Sequence, residues 1–136
     1  MAGYSGTPLP RKLGIEPGHR VLVGDAPAGF TVSPLPEDVE VHRRAGRGVY
    51  DVIVGFCPDR AALARHFAHW RTRLTPSGGL WIAWPKASGA LTTDLHEAEV
   101  RAYGLSAGLV DNKICAVDQD WSALRFVVRL ADRTGG

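Results

Sequence analysis

The residues best suited to chemistry in this chain sit where its apolar runs end. His19 to Phe30 reads HRVLVGDAPAGF, a short apolar strand entering a turn that holds Gly24, Asp25 and Gly29. A turn in this position is where an α/β domain cradles a phosphate, through backbone N–H groups presented at G-x-G-x-x-G spacing ahead of a helix. Only Gly24 and Gly29 remain of such a pattern. Pro27 lacks an N–H, and Asp25 sets negative charge where the phosphate would lie. The turn is a candidate for ligand binding, but its chemistry is poor for gripping a nucleotide and no specific reaction is legible from it.

Other constellations have both a chemical and a plainer reading. Asp118 and Asp120 form a D-x-D beside Trp121 and Ser122. Paired carboxylates bind Mg²⁺ or act as acid and base, yet Asp also favours turns for backbone reasons, which is the preferred reading. Lys86 follows an apolar run at its carboxyl end, where open α/β sheets bind ligands, so it is the basic residue placed to face an anion. Cys57 closes another run just before a helix start, a position that can activate a thiol. With no His placed as its base, an inert core cysteine is the simpler account. His66 and His69, one helical turn apart, lack a third ligand and read as a solvated helix flank. Arg43-Arg44 could hold a phosphate, but Asp25 opposes this and charged residues protecting an edge strand explain them.

The elements that would position these residues follow from pattern. Arg20 to Gly24, Tyr50 to Cys57 and Leu80 to Trp84 are continuous apolar runs of the kind that sheets bury on both faces. Val39 to Arg43 alternates apolar and polar residues and reads as a rim strand. Ala26 to Leu35, with Gly29, Thr31, Val32 and Pro34, can hold at most a short, distorted helix. Asp59 can cap a helix carrying Leu63, Phe67, Trp70 and Leu74 on one stripe. Asp94 and Glu97 have capping-box spacing for a second helix to about Tyr103. Lys113 to Val117 and Leu124 to Leu130 are joined by a turn-rich stretch and should pair antiparallel. Trp81 and Trp84, three apart on one strand, must face opposite sides of the sheet, so one of them could line the strand-end crevice, and Trp121 could serve as a lid over it or as an interaction anchor, with core packing the plainer reading of all.

Composition narrows the classes. Hydrophobic residues make up 45% and charged residues 22% of 136 residues, ordinary globular usage. Residues 1–18 read as an arm with a short helix near Arg11 to Ile15, 19–131 as one α/β domain, and 132–136 as a tail. No 18-residue apolar run and no basic-then-apolar leader occur, so the expected setting is cytoplasmic with no membrane contact. Cys57 and Cys115, far apart in apolar stretches, suit reduced buried thiols. A net charge of +2 is too small to imply nucleic acid, and binding through Arg43, Arg44, Arg47, Arg65, Arg71 and Arg73 ranks last. A homo-oligomer through the N-terminal arm or an edge strand is open.

The order of elements implies a Rossmann-like α/β fold: an open, mostly parallel sheet with helices on both faces, ending in an antiparallel strand pair. With SGGLWIAW as an inner strand, it resembles the class I methyltransferases at fold level. In that superfamily an acidic residue ends the second strand to bind ribose, whereas Arg43-Arg44 stand here. AGYSGTPLPRKLGI, AWPK, DNKICAVD and WSALRFVVR together resemble a small actinobacterial family of unknown function, the DUF 3052 type. That resemblance implies a bacterial, cytosolic setting and carries no activity. The expectation is therefore a non-catalytic methyltransferase-like domain, without cofactor or metal, that binds a protein partner or small ligand. Its strand-end face would comprise Gly24, Asp25, Gly29, Cys57, Trp84, Lys86, Asp118, Asp120 and Trp121. The alternative is a small nucleotide- or S-adenosylmethionine-dependent transferase using the same crevice.

Overall fold

Runs of Val, Ile, Leu and Trp that are apolar on both faces demand cover on both sides of a sheet, and the computed structural model, which describes residues 7–133, shows how that cover is supplied. Six strands form one sheet in the order β2-β1-β3-β4-β6-β5. They are β1 (Arg20–Gly24), β2 (Glu40–His42), β3 (Tyr50–Phe56), β4 (Leu74–Pro85), β5 (Leu109–Ala116) and β6 (Trp121–Val128). The helices are α1 (Leu9–Lys12), α2 (Arg60–Thr72) and α3 (Glu97–Ser106), followed by a 3-10 turn at Leu130–Asp132. Met1 to Gly6 of the expected arm and Thr134 to Gly136 of the expected tail lie outside the described residues.

The Rossmann-like, mostly parallel and doubly wound sheet is not what the chain adopts. The sheet is mixed: β1 pairs in parallel with β2 and β3, and β3 with β4, but β6 runs antiparallel to both β4 and β5. The antiparallel half contains β5 and β6, eight residues each, against three residues in the parallel edge strand β2. Nor do helices cover both faces. Ala62, Leu63, Phe67 and Trp70 of α2 and Val100 of α3 belong to one core cluster, with Leu22, Ile53, Ile82, Trp84, Leu124 and Phe126 of the sheet. The opposite face, with Val21, Val23, Val54, Phe56, Trp81 and Ala123, is covered by irregular chain: Leu13 and Ile15 after the single turn α1, and Ala26, Phe30 and Val32 between β1 and β2. The reason is local. Pro27, Gly29 and the β-branched Thr31 and Val32 deny the first crossover a helix, so apolar side chains on coil bury that face. The chain is α/β in the broad sense, and the methyltransferase-like arrangement is corrected to a mixed sheet with its two longer helices on one side.

Within this frame many local expectations hold. Asp59 caps α2, its carboxylate accepting from the Ala62 N–H at 2.9 Å. Trp81 and Trp84 fall in opposite clusters. The rim strand is an edge strand. The second helix differs: it starts at Glu97 with His96 as its N-cap, and Glu99 accepts the His96 N–H at 2.8 Å. Asp94 serves the other helix, accepting the Arg60 N–H at 2.9 Å at the start of α2. Gly104 lets α3 approach the sheet, since a Cβ there would lie 2.1 Å from the Phe126 ring. The described part of the arm is tied to its own sheet near Leu13, whose carbonyl accepts the fully buried Trp81 indole N–H at 3.0 Å.

Candidate functional site

Sheet order decides which candidate residues can meet. Gly24 is the register partner of Gly55, Phe56 of Ala83, and Pro85 of Trp121, so β1, β3, β4 and β6 bring Gly24, Cys57, Trp84–Lys86 and Trp121 to the same end of the sheet. They divide into a packed group at the β4–β6 end and an open group at the β1–β2 end.

At the β4–β6 end the polar groups hold the fold. Asp118 closes the turn before β6 by accepting the N–H groups of Asp120 at 2.8 Å and Trp121 at 3.0 Å. The carbonyl of Asp120 accepts the Lys86 N–H at 2.8 Å, and its carboxylate accepts the Ala90 N–H at 3.3 Å. Both acids are thus acceptors for backbone, the common reason for Asp in turns. Trp121 is a core residue set edge-on to Phe56 with centroids 5.0 Å apart, and Phe56 in turn meets Phe30 at 4.9 Å. Trp84 is buried under the helices of the other face. Gly29 has φ of +83°, so it is the backbone turn toward Phe30 that requires a glycine there. Among the described residues no group of three or more His, Cys, Asp or Glu is set to hold a metal ion.

Cys57 lies wholly inside, and its thiol is pushed up to about 12, first by burial and then by the nearby charges of Asp25 and Asp59. Desolvation outweighs whatever the start of α2 offers a thiolate. Cys115 is likewise raised by burial. A stability consequence follows. Folding holds the Cys57 proton, so this contribution is intact below the ordinary value of 9.0 and is lost as pH rises from there through about 12. The slope is roughly 1.4 kcal/mol per pH unit. Urea unfolding between pH 8 and 10.5 should show the decline, and Cys57→Ala should remove that part of it; equal slopes in the two proteins would contradict the assignment.

The β1–β2 end is different. A hollow of about 190 Å³ is lined by Gly24, Asp25, Arg43, Arg44, His66, His69 and Trp70, with Leu22 and Ala45 beneath. Trp70 forms its wall by lying on the backbone of Gly24 and Gly55; an added Cβ would sit 2.8 Å from the indole at Gly24 and 2.2 Å at Gly55. Gly24 is therefore a packing glycine, required by the ring on α2. His66 stacks on Trp70 with centroids 5.3 Å apart and pairs with Asp25 at 3.0 Å. Asp25 itself is in the left-handed region, φ +54°. No hydroxyl or thiol occurs among the lining residues.

A second network fixes the loop that carries the arginines. The Tyr50 hydroxyl accepts the Gly46 N–H at 2.7 Å and meets His42 Nδ1 at 2.7 Å, while His42 Nε2 meets Glu40 at 2.5 Å. Arg73 donates to the carbonyls of Gly46 and Gly48, and Arg43 to that of Phe30. By sequence Arg43 and Arg44 belong to an edge strand and His66 and His69 to a helix flank, with nothing to join them. Their convergence depends on β2 lying beside β1, and the one available signal is a pair of histidines on the same helix face as Trp70. The roles of Tyr50 and Arg73 had no such signal.

A separate hollow of about 750 Å³ lies between α2 and α3, with Leu63, Leu95, Ala102 and Tyr103 in its walls. Arg60 at its mouth is paired with Glu99 at 3.5 Å. Among the described residues no helix is long and apolar enough to cross a membrane. No protein-family model matches the chain, and no curated protein matches it.

Proposed function

We propose that the protein is a non-catalytic binding domain that takes a small ligand in the hollow at the ends of β1 and β2. The observation that carries this reading is the lining itself: two arginines and two histidines share the hollow with one aspartate, which is paired with His66, and there is no hydroxyl or thiol among them. Positioned charged groups in a concavity bind and orient; a transferase needs in addition a group that attacks or an acceptor held beside a cofactor. Further support comes from the neighbouring candidates, since Asp118 and Asp120 accept from backbone and Cys57 is held protonated. A cytoplasmic setting accords with two free cysteines raised by burial. Membership of the small actinobacterial family stays part of this reading, resting on the sequence words that resemble it.

The test is a thermal-shift panel of S-adenosylmethionine, NADP, ATP, amino acids and small phosphate monoesters. A ligand present at about 100 times its Kd adds roughly 2.7 kcal/mol of stability. At least one member should raise Tm, and do so less in His69→Ala. A panel without any shift, or turnover of a bound member, would overturn the proposal.

A further inference from the structure

Resting on that binding reading, we propose that the β1–β2 hollow is specific for a phosphate group, carried by a small molecule or free. Size comes first. At about 190 Å³ the hollow falls below the roughly 300–1,000 Å³ of pockets that enclose whole drug-sized ligands. It admits a phosphoryl end and leaves the rest of a molecule outside. Charge and geometry come next. Arg43 and Arg44 line it from the loop after β2, Arg43 with one guanidinium nitrogen already on the Phe30 carbonyl, and His66 and His69 line it from α2, so two elements bring basic side chains to a tetrahedral anion with several acceptor oxygens.

The arginines are presented on a braced loop. Arg73 holds the carbonyls of Gly46 and Gly48, and the buried Tyr50 takes the Gly46 N–H, so little chain ordering is left for binding to accomplish. Asp25 is the one acid in the lining and is paired with His66. It weakens an anion site without abolishing it. This arrangement uses side chains at the flank of a helix, in place of the glycine-loop amides that phosphate sites at a strand end commonly offer.

The proposal is tested by NMR titration of the whole chain with inorganic phosphate and with phenyl phosphate, at constant ionic strength set by chloride. Phosphate should shift the ring signals of His66 and His69. Arg44→Ala, an exposed replacement that leaves Tm unchanged, should weaken Kd about tenfold, in line with loss of one charge-assisted contact. Asp25→Asn should tighten Kd severalfold, since Asn accepts a left-handed backbone while the negative charge goes. An unstable variant would weaken binding, so the opposite sign separates electrostatics from damage. Equal affinity for the two probes marks free phosphate as the ligand, and a tighter phenyl phosphate marks an ester; both uphold the site. Unchanged Kd in Arg44→Ala, or weaker binding in Asp25→Asn, overturns it. If phosphate fails to bind while another member of the thermal-shift panel does, the phosphate assignment falls and the binding reading stands; if nothing in the panel binds, both fall.

Discussion

Gly55→Ala should lower stability by about 3 kcal/mol, the upper part of the range for overpacking a core. The new methyl carbon would lie 2.2 Å from one carbon of the Trp70 ring and 2.5 Å from two more. The ring cannot yield easily, because it is only 4% exposed, sits on the rigid helix α2 and is backed by His66. Gly24→Ala meets the same indole at 2.8 Å and should cost less. Urea unfolding checks both. In a Trp70→Leu background the Gly55→Ala penalty should fall below about 1 kcal/mol, a coupling that a double-mutant cycle measures directly. Equal penalties in the two backgrounds would mean that backbone propensity at Gly55, and not the ring, sets the cost. Because Trp70 walls the hollow, a displaced ring should also disturb His66 and the ligand site, linking a packing fault to lost binding.

Removing the Trp81 side chain is the second large effect. Trp81→Ala should cost about 3–5 kcal/mol, as for other buried aromatic truncations. Trp81→Phe isolates the polar part: the ring volume is partly kept, but the Leu13 carbonyl loses the indole N–H that donates to it at 3.0 Å inside the protein. An unpaired buried acceptor costs about 1–3 kcal/mol. The loss should also be local, since this bond ties residues 9–15 to the sheet. Trypsin cleavage after Arg11 or Lys12 requires opening of that segment, so it should accelerate more in Trp81→Phe than the global stability change alone explains. Cleavage that tracks global stability would show that burial of Leu13 and Ile15, without the hydrogen bond, keeps the arm in place.

The elements readable in advance are those whose cause is close in sequence. Asp59 and the Leu63, Phe67, Trp70 stripe define α2 because a cap and a 3.6-residue period are properties of one segment. Asp94 shows where this stops. Its acceptor chemistry was legible, but whether it meets the start of α3 or of α2 depends on how the chain folds back, and it meets Arg60. The same holds for Gly24, whose absent side chain suits a phosphate turn but is required by the Trp70 ring lying on it. Trp121 could serve by type as a lid or an anchor, and its burial edge-on against Phe56 bears out the plainer reading of a core residue.

What the amino-acid sequence determined on its own was the set of pieces: buried strands from continuous Val, Ile and Leu runs, α2 from its cap and stripe, a helix-poor crossover from Pro27, Gly29 and the β-branched pair. Tertiary structure alone decided that the sheet is mixed and that α2 and α3 share one face while coil covers the other, since a run buried on both sides records that it needs cover but not what supplies it. It alone brought Arg43 and Arg44 to His66 and His69. Those pairs stand more than twenty positions apart, and only the placement of β2 against β1, fixed by backbone pairing across the sheet, turns an edge and a helix flank into one charged hollow.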